Sequence, residues 1–296
     1  MIYTLVDQWQ QKAGITQACR VLNVSRSGYY SARKILKAAE SADTCSTSVH
    51  LKAAFAASGR SYGSRRLVTA LKENQIVIGR FKVRRLMKEG NIKPVWKKKF
   101  VNTTDSKHDL PVAENILNRQ FNPVKPNQAW TSDITYIRTR TGWLYLAVVM
   151  DLCSRKIIGW AMSPAMPAEL VCRALQMAIG HRQPTVGLIL HSDRGSQYAS
   201  HEYQALLRQH AIICSMSRKG NCWDNAVMER FFLNLKMERV WQRDYANQLE
   251  ATKDITDYIV GFYNCVRFHS TLGNMSPMTY EREIAAKKLG SSLNSL

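Results

Sequence analysis

The sequence predicts an α/β protein: a mixed five-stranded sheet flanked by helices, preceded by a helical amino-terminal region. Up to about residue 90 the apolar residues recur at helical spacing between short polar turns. From residue 128 strand-like runs take over, three in close succession, which suggests an antiparallel meander. Two more strands then alternate with helices, and the whole order fits one mixed sheet with helical layers.

The amino-terminal elements divide at turn signals. IYTLVDQWQ has helical spacing, Thr16 is placed to cap TQACRVL, and Asn23–Val24 form a turn. Ser25 then caps SRSGYYSARK. A short helix, a turn and a helix bearing Arg26, Tyr29, Arg33 and Lys34 outline a helix-turn-helix over residues 1–58. Residues 59–90 read as a second basic unit, with two helices around a turn at 74–78 and Arg65, Arg66 and Arg80 as further cations. On its second helix Lys82, Arg85 and Lys88 are expected to form a basic stripe, with Phe81, Val83 and Leu86 on an apolar one. Residues 91–120, with Lys97, Lys98, Lys99 and Pro111, read as a basic linker, and a separate α/β part is expected over 121–285.

In that part AWTSDITYIR alternates as a strand does, WLYLAVVMDL is an almost continuous apolar strand, and CSRKIIGWAMS supplies a third. PAELVCRALQMAIGHR reads as an amphipathic helix, VGLILHSD as a buried strand, SHEYQALLRQH as a helix and AIICSMS as a short strand. NAVMERFFLNLKMERVW is helical, and a last helix is expected from Leu249 to Asn264.

The charge balance narrows the partner. The chain of 296 residues carries net charge +20, which favours nucleic acid. Residues 1–127 hold 23 Lys and Arg against 8 acids, and residues 128–296 hold 19 against 14, so most of the positive field precedes the acidic motifs. There is no apolar run of membrane-spanning length. Seven scattered cysteines without a CxxC pair argue for a reducing cytoplasm, and the spacing of His210, Cys214 and Cys222 is wrong for a zinc finger.

Against that basic background three acids stand out. Asp133 lies within a strand, Asp193 at the carboxyl end of another, and Glu229 on a helix, with 35 residues between the last two. Oxygen donors of this kind suit Mg²⁺, which keeps several of its waters. Two such ions roughly 3.5–4 Å apart drive phosphoryl transfer by activating the attacking oxygen and stabilising the leaving one. Asn225 and Glu229 share a helix face, and Lys236 returns to it two turns later. Asp224 is a rival ligand better suited to capping the helix, and Asp151, ending the second strand, is another rival. His191 is read as an orienting or packing residue. Arg26, Tyr29, Arg33, Arg65, Arg66, Arg80, Lys82, Arg85, Lys97, Lys98, Lys99, Arg194, Arg218, Lys219, Asn225 and Lys236 are expected to meet DNA, Arg267 either to meet DNA or to brace the last helix, and Trp130, Trp143 and Trp160 to pack.

The segments SRSGYY, YGSRRL, WTSDITYI, HSDRGSQY, SRKGNCWDNAVMERFF with LKMER, and YNCVRFHSTLGNMSP resemble one family along nearly the whole chain. They are similar to the OrfB-type transposases of the third family of bacterial insertion sequences, whose core is similar to retroviral integrase. The resemblance implies a ribonuclease-H-like fold and a DDE triad at Asp133, Asp193 and Glu229, working with two Mg²⁺ or Mn²⁺ ions. Lys236 matches the basic residue beyond the glutamate. The implied reaction cuts one strand by water attack at the terminal inverted repeats and joins the freed 3′-hydroxyl to target DNA. A homo-multimer is expected, because two element ends must meet, together with an upstream OrfA product or fusion. Two other readings stay open on the residues alone: a DNA-binding regulator without catalysis, and a ribonuclease H acting on hybrids.

Overall fold

The computed structural model describes residues 2–94 and 110–293, without the side chains of 10–12, 35–44, 222 and 288–293. Lys97, Lys98 and Lys99, expected to touch DNA from the linker, lie outside the described residues. The chain forms two compact units, residues 1–58 with 62–93, and residues 59–61 with 94–296.

In the first unit α1 (Ile2–Val21) is two helices meeting at Gly14, whose φ of 74° is a conformation glycine adopts without a Cβ penalty. The break thus falls two residues before the cap expected at Thr16. Asn23, at φ 49°, turns the chain, and Ser25 opens α2 (Arg26–Ala57) by accepting the Gly28 N–H at 3.0 Å. The helix expected at SRSGYYSARK and the one expected over residues 36–58 are a single uninterrupted helix, because nothing between 35 and 57 is a glycine or proline. Val6, Ala18, Cys19 and Tyr29 form the core here. α3 (Ser64–Glu73) and α4 (Arg80–Glu89) follow, burying Leu67 and Leu71 on one and Val83, Leu86 and Met87 on the other.

The second unit is built on five strands: β1 (Ala129–Thr139), β2 (Gly142–Asp151), β3 (Ile157–Ser163), β4 (Ile189–Ser192) and β5 (Ile213–Met216). Their order is β3-β2-β1-β4-β5. The first three pair antiparallel, and β4 and β5 add parallel to β1. Leu144, Leu146, Val148 and Met150 of β2 face one layer, while Ala147 and Val149 face the other, as a period of two requires. α5 (Ala168–Arg182), α6 (Ser196–Ala199) and α7 (His201–Gln209) cover the second face. α8 (Ala226–Glu238) and α9 (Gln248–Asp257) cover the first, together with the π-helical turn Tyr258–Tyr263 that continues α9. That turn occupies the end of the helix expected to reach Asn264.

α10 (Pro277–Leu293) was not foreseen, although Ser276 caps it through the Thr279 N–H and Pro277 stands where a first-turn proline is tolerated. Glu281 on α10 ties it to the core, meeting Ser154 at 2.7 Å, Lys156 at 3.0 Å and Arg182. Among the described residues no helix is long and apolar enough to cross a membrane.

β3 and α5 approach most closely at Gly159. A Cβ there would lie 2.2 Å from the Ala174 carbonyl oxygen and 2.8 Å from the Ala178 nitrogen, both backbone atoms that cannot swing aside. Gly159→Ala is therefore expected to cost about 3 kcal/mol or more, at the upper end of overpacking. Chemical denaturation checks this, and a midpoint within error of wild type would show that α5 lifts off without penalty.

Candidate active site

Asp133 sits in β1, opposite Val148 of β2 and on the face covered by α8. β1 runs parallel to β4, with Thr131 beside His191. Carried two residues further, that register brings Asp133 alongside Asp193, which follows the last residue of β4. Neighbouring strands lie about 4.8 Å apart. Both acids line one cleft of about 110 Å³, with Thr135, Tyr136, Tyr145, Gly195, Gln197 and Tyr198 among its walls. Asp193 accepts the Gly195 N–H at 2.9 Å, which fixes the turn after β4.

Glu229 reaches the same region from the first turn of α8. The start of that helix is pinned to the sheet, since Thr131 Oγ1 donates to Asn225 Oδ1 at 2.9 Å. Thr131 and Asp133 share a strand face, so anchoring Asn225, the residue just before α8, holds the first turn with Glu229 near Asp133.

The electrostatics record this convergence. The Asp133 carboxyl is pushed well above the usual carboxylate range by burial, then by the charge of Asp193 and more weakly by that of Glu229. Its bond from the Ile134 N–H and the charge of Lys236 act in the opposite direction. Burial raises Glu229 too. Lys236, its ammonium 4.5 Å from the centre of the Tyr136 ring, is lowered by burial while Asp133 opposes the shift.

Among the described residues no three His, Cys, Asp or Glu side chains stand close enough to enclose a metal ion as they lie. The donor chemistry nevertheless fits a hard cation. Asp133 and Asp193 present carboxylate oxygens to one cleft, their like charges repel, and an ion that keeps several waters needs few protein ligands.

The rival acids have other duties. Asp151 accepts the Asn127 N–H at 2.7 Å, the Cys153 N–H at 2.9 Å and the Ser154 N–H at 3.0 Å, closing the turn after β2. Asp224 does not cap α8. It lies in the short 3-10 turn Cys222–Asn225, fully buried, and accepts from Asn115 (2.9 Å), Arg119 (2.7 Å) and Arg218 (3.0 Å). The Arg218 hydrogen bond, first among these influences, holds its carboxyl well below the ordinary range. His191 is buried between the Ser215 and Ser217 hydroxyls at 2.9 and 3.1 Å, and burial pulls it down to about 4, so it stays neutral and packs.

Three residues expected on DNA are internal. Arg267 is only 1% exposed and pairs with Glu238 through two nitrogens, at 2.7 and 2.8 Å. Tyr29 is a core residue donating to Asp7 at 2.6 Å and accepting from Arg33. Asn225 is buried against Thr131. Arg218 is half exposed but held by Asp224, and Arg194 donates to the Ser217 carbonyl. Arg26, Arg65, Arg80, Arg85 and Lys219 are exposed, while Arg66 and Lys82 are half-buried. Arg119 escaped notice in the sequence, where nothing tied it to Asp224 over 105 residues away. Trp143, expected to pack, is 44% exposed, with Tyr136 against it edge-on and Arg138 over its ring.

Residues 123–222 and 210–277 match integrase core domain families, and residues 47–100 match an HTH-like domain. That last match covers the end of α2 together with α3 and α4. The chain is 44% identical over 265 residues to the insertion element IS600 uncharacterized 31 kDa protein of Shigella sonnei, covering 90% of this chain and 97% of that one. It is 39% identical over 287 residues to Transposase InsF for insertion sequence IS3A of Escherichia coli (strain K12), covering 96% and 99%. The catalytic core domain of BIV integrase superposes with a TM-score of 0.41 at 17% identity, over 55% of this chain and 99% of that one.

Proposed function

The chain belongs to the IS3-type insertion-sequence transposases, enzymes that cut and join DNA strands, and from that premise we propose that Asp133, Asp193 and Glu229 are its catalytic carboxylates. The observation that carries this is the cleft shared by Asp133, within β1, and Asp193, just past the end of the parallel strand β4, with Glu229 delivered beside it by α8.

In this reading Asp133, Asp193 and Glu229 are the residues that would hold the divalent cations, Mg²⁺ or Mn²⁺. When bound, the ions supply Lewis-acid activation of the attacking oxygen and charge stabilisation at the leaving one. The protein's own contribution is positional. β1 and β4 hold two donors at one depth, and the Thr131–Asn225 bond sets the angle at which α8 presents the third. Lys236, braced on Tyr136, adds positive charge beside the carboxylates where a DNA phosphate has to lie. The substrate is the terminal inverted repeat of the element and then target DNA. The same reading includes a homo-multimer that brings two ends together, an upstream OrfA product or fusion, action in the cytoplasm, and the four sequence segments 1–58, 59–90, 91–120 and 121–285.

Glu229→Gln is the sharpest test of the set, because Glu229 does not line the cleft. Mg²⁺-dependent cleavage of element-end DNA should fall by about a hundred- to a thousandfold, on the scale of removing one preorganised electrostatic group. Retention of the same DNA in gel shifts is expected, since phosphate binding is spread over many cations. Normal cleavage by this variant would remove Glu229 from the triad. Absence of metal-dependent cleavage in the wild type would favour a non-catalytic regulator, and preference for hybrids a ribonuclease H.

A further inference from the structure

Phe81 occupies an unexpected place. Expected to join the apolar stripe with Val83 and Leu86, it is 86% exposed, while those two and Met87 are buried. Helical geometry gives the reason. At about 100° per residue, Phe81 points about 160° away from the centre of the Val83–Leu86–Met87 face. Arg84, Arg85 and Lys88 share that outward side, all exposed. The second residue of α4 is thus a bare phenyl ring set at the head of a cationic helix face.

We infer that Phe81 reads thymine 5-methyl groups in the major groove of the element's terminal repeat. Four observations meet in this assignment. The residue lies at the amino-terminal end of α4, the last helix of the HTH-like match and the second of its α3–α4 pair, the end that meets base edges when such a helix enters the groove. The three cations around it favour a polyanion over an apolar protein surface as the occupant of this face. The Arg80 Nε donates to Ser64 Oγ at 3.3 Å, which joins the first turns of α3 and α4 and fixes how the ring is presented. The phenyl group carries no hydrogen-bonding atom, so the feature it discriminates in the groove is the one apolar group there, the thymine methyl. The inference rests on the reading of this chain as a transposase, but not on the triad.

The test measures binding of the full chain to duplexes carrying the terminal inverted repeat of its own element, made with thymine or with deoxyuracil, which lacks only the methyl. Wild type is expected to bind the thymine duplex more tightly, roughly fourfold for each methyl buried by the ring. Phe81→Ala should lose the same factor on thymine DNA and become indifferent to the exchange. Its thermal midpoint should not fall, since the ring touches no core and alanine favours helix. Lys88→Ala should instead weaken both duplexes alike and reduce the slope of log affinity against log salt by about one. Wild type indifferent to the methyl, or Phe81→Ala still discriminating, would overturn the inference. So would a variant that binds both duplexes like wild type but sediments at a lower mass, which would make the ring a contact between protein copies. Metal-dependent cleavage at saturating DNA reports on the carboxylates separately, so failure of the triad and failure of the methyl reading are distinguishable.

Discussion

Asp133→Asn should abolish strand cleavage and at the same time make the protein more stable at neutral pH. The carboxyl of Asp133 sits above its usual range because burial and then the charge of Asp193 disfavour its ionised form. The sign follows from proton counting. Between its unfolded value and its raised folded value, the native state holds a proton that the unfolded chain has lost. Stability therefore falls as pH rises through that window and stays lower above it. Asparagine carries no charge at any pH, so the variant escapes this loss. Its thermal midpoint at pH 7 should exceed that of wild type by a few degrees, the equivalent of about 1 kcal/mol in a domain of this size. Near pH 3.5 the two should converge. Millimolar Mg²⁺ should raise the wild-type midpoint through binding to the native state and leave Asp133→Asn unmoved. A variant that melts below wild type at pH 7 would mean Asp133 is a structural acid, and an undiminished Mg²⁺ shift would mean the ion binds elsewhere.

The same balance explains why the candidate site is legible in the sequence. An acid placed inside an apolar strand in a chain of net charge +20 has no packing motive, so its position itself points to chemistry. Strand boundaries came out within a few residues because the sheet buries both faces, and burial on both sides writes itself as long apolar runs such as LYLAVVM. The residues that misled are those whose environment depends on distant partners. Arg267 in a basic chain looks like a DNA contact, and only Glu238, 29 residues away, makes it a core residue. Tyr29 and Asn225 were misassigned for the same reason, through Asp7 and Thr131. Phe81 was misplaced by a different error. Proximity in sequence to Val83 and Leu86 was read as a shared face, although two residues along a helix is more than half a turn.

Arg267→Met should be the most destabilising single change outside the apolar core. Its guanidinium is 1% exposed, grips both oxygens of Glu238 at the end of α8, and lies 5.7 Å from the centre of the Tyr263 ring. Tyr258 donates to the same carboxylate at 2.7 Å, so the π-helical turn, α8 and the 267–269 segment are closed around one buried acid. Methionine approximates the volume but leaves Glu238 without its counter-charge. Breaking a buried pair from one side costs about 3–5 kcal/mol, a large share of the 5–15 kcal/mol that holds a typical domain together. Replacing both partners, as in Glu238→Gln with Arg267→Met, removes the orphaned charge and should recover most of that loss, because the pair's net worth is far smaller than the cost of halving it. Urea midpoints for the two singles and the double give the coupling directly. The consequence for function runs along α8. Glu229 is two and a half turns from Glu238 on the same helix, so a frayed carboxyl end should weaken Mg²⁺ binding before the domain unfolds. If Arg267→Met instead melts like wild type and loses only affinity for DNA, its guanidinium spends its time on phosphate and the ion pair with Glu238 is not what holds α8.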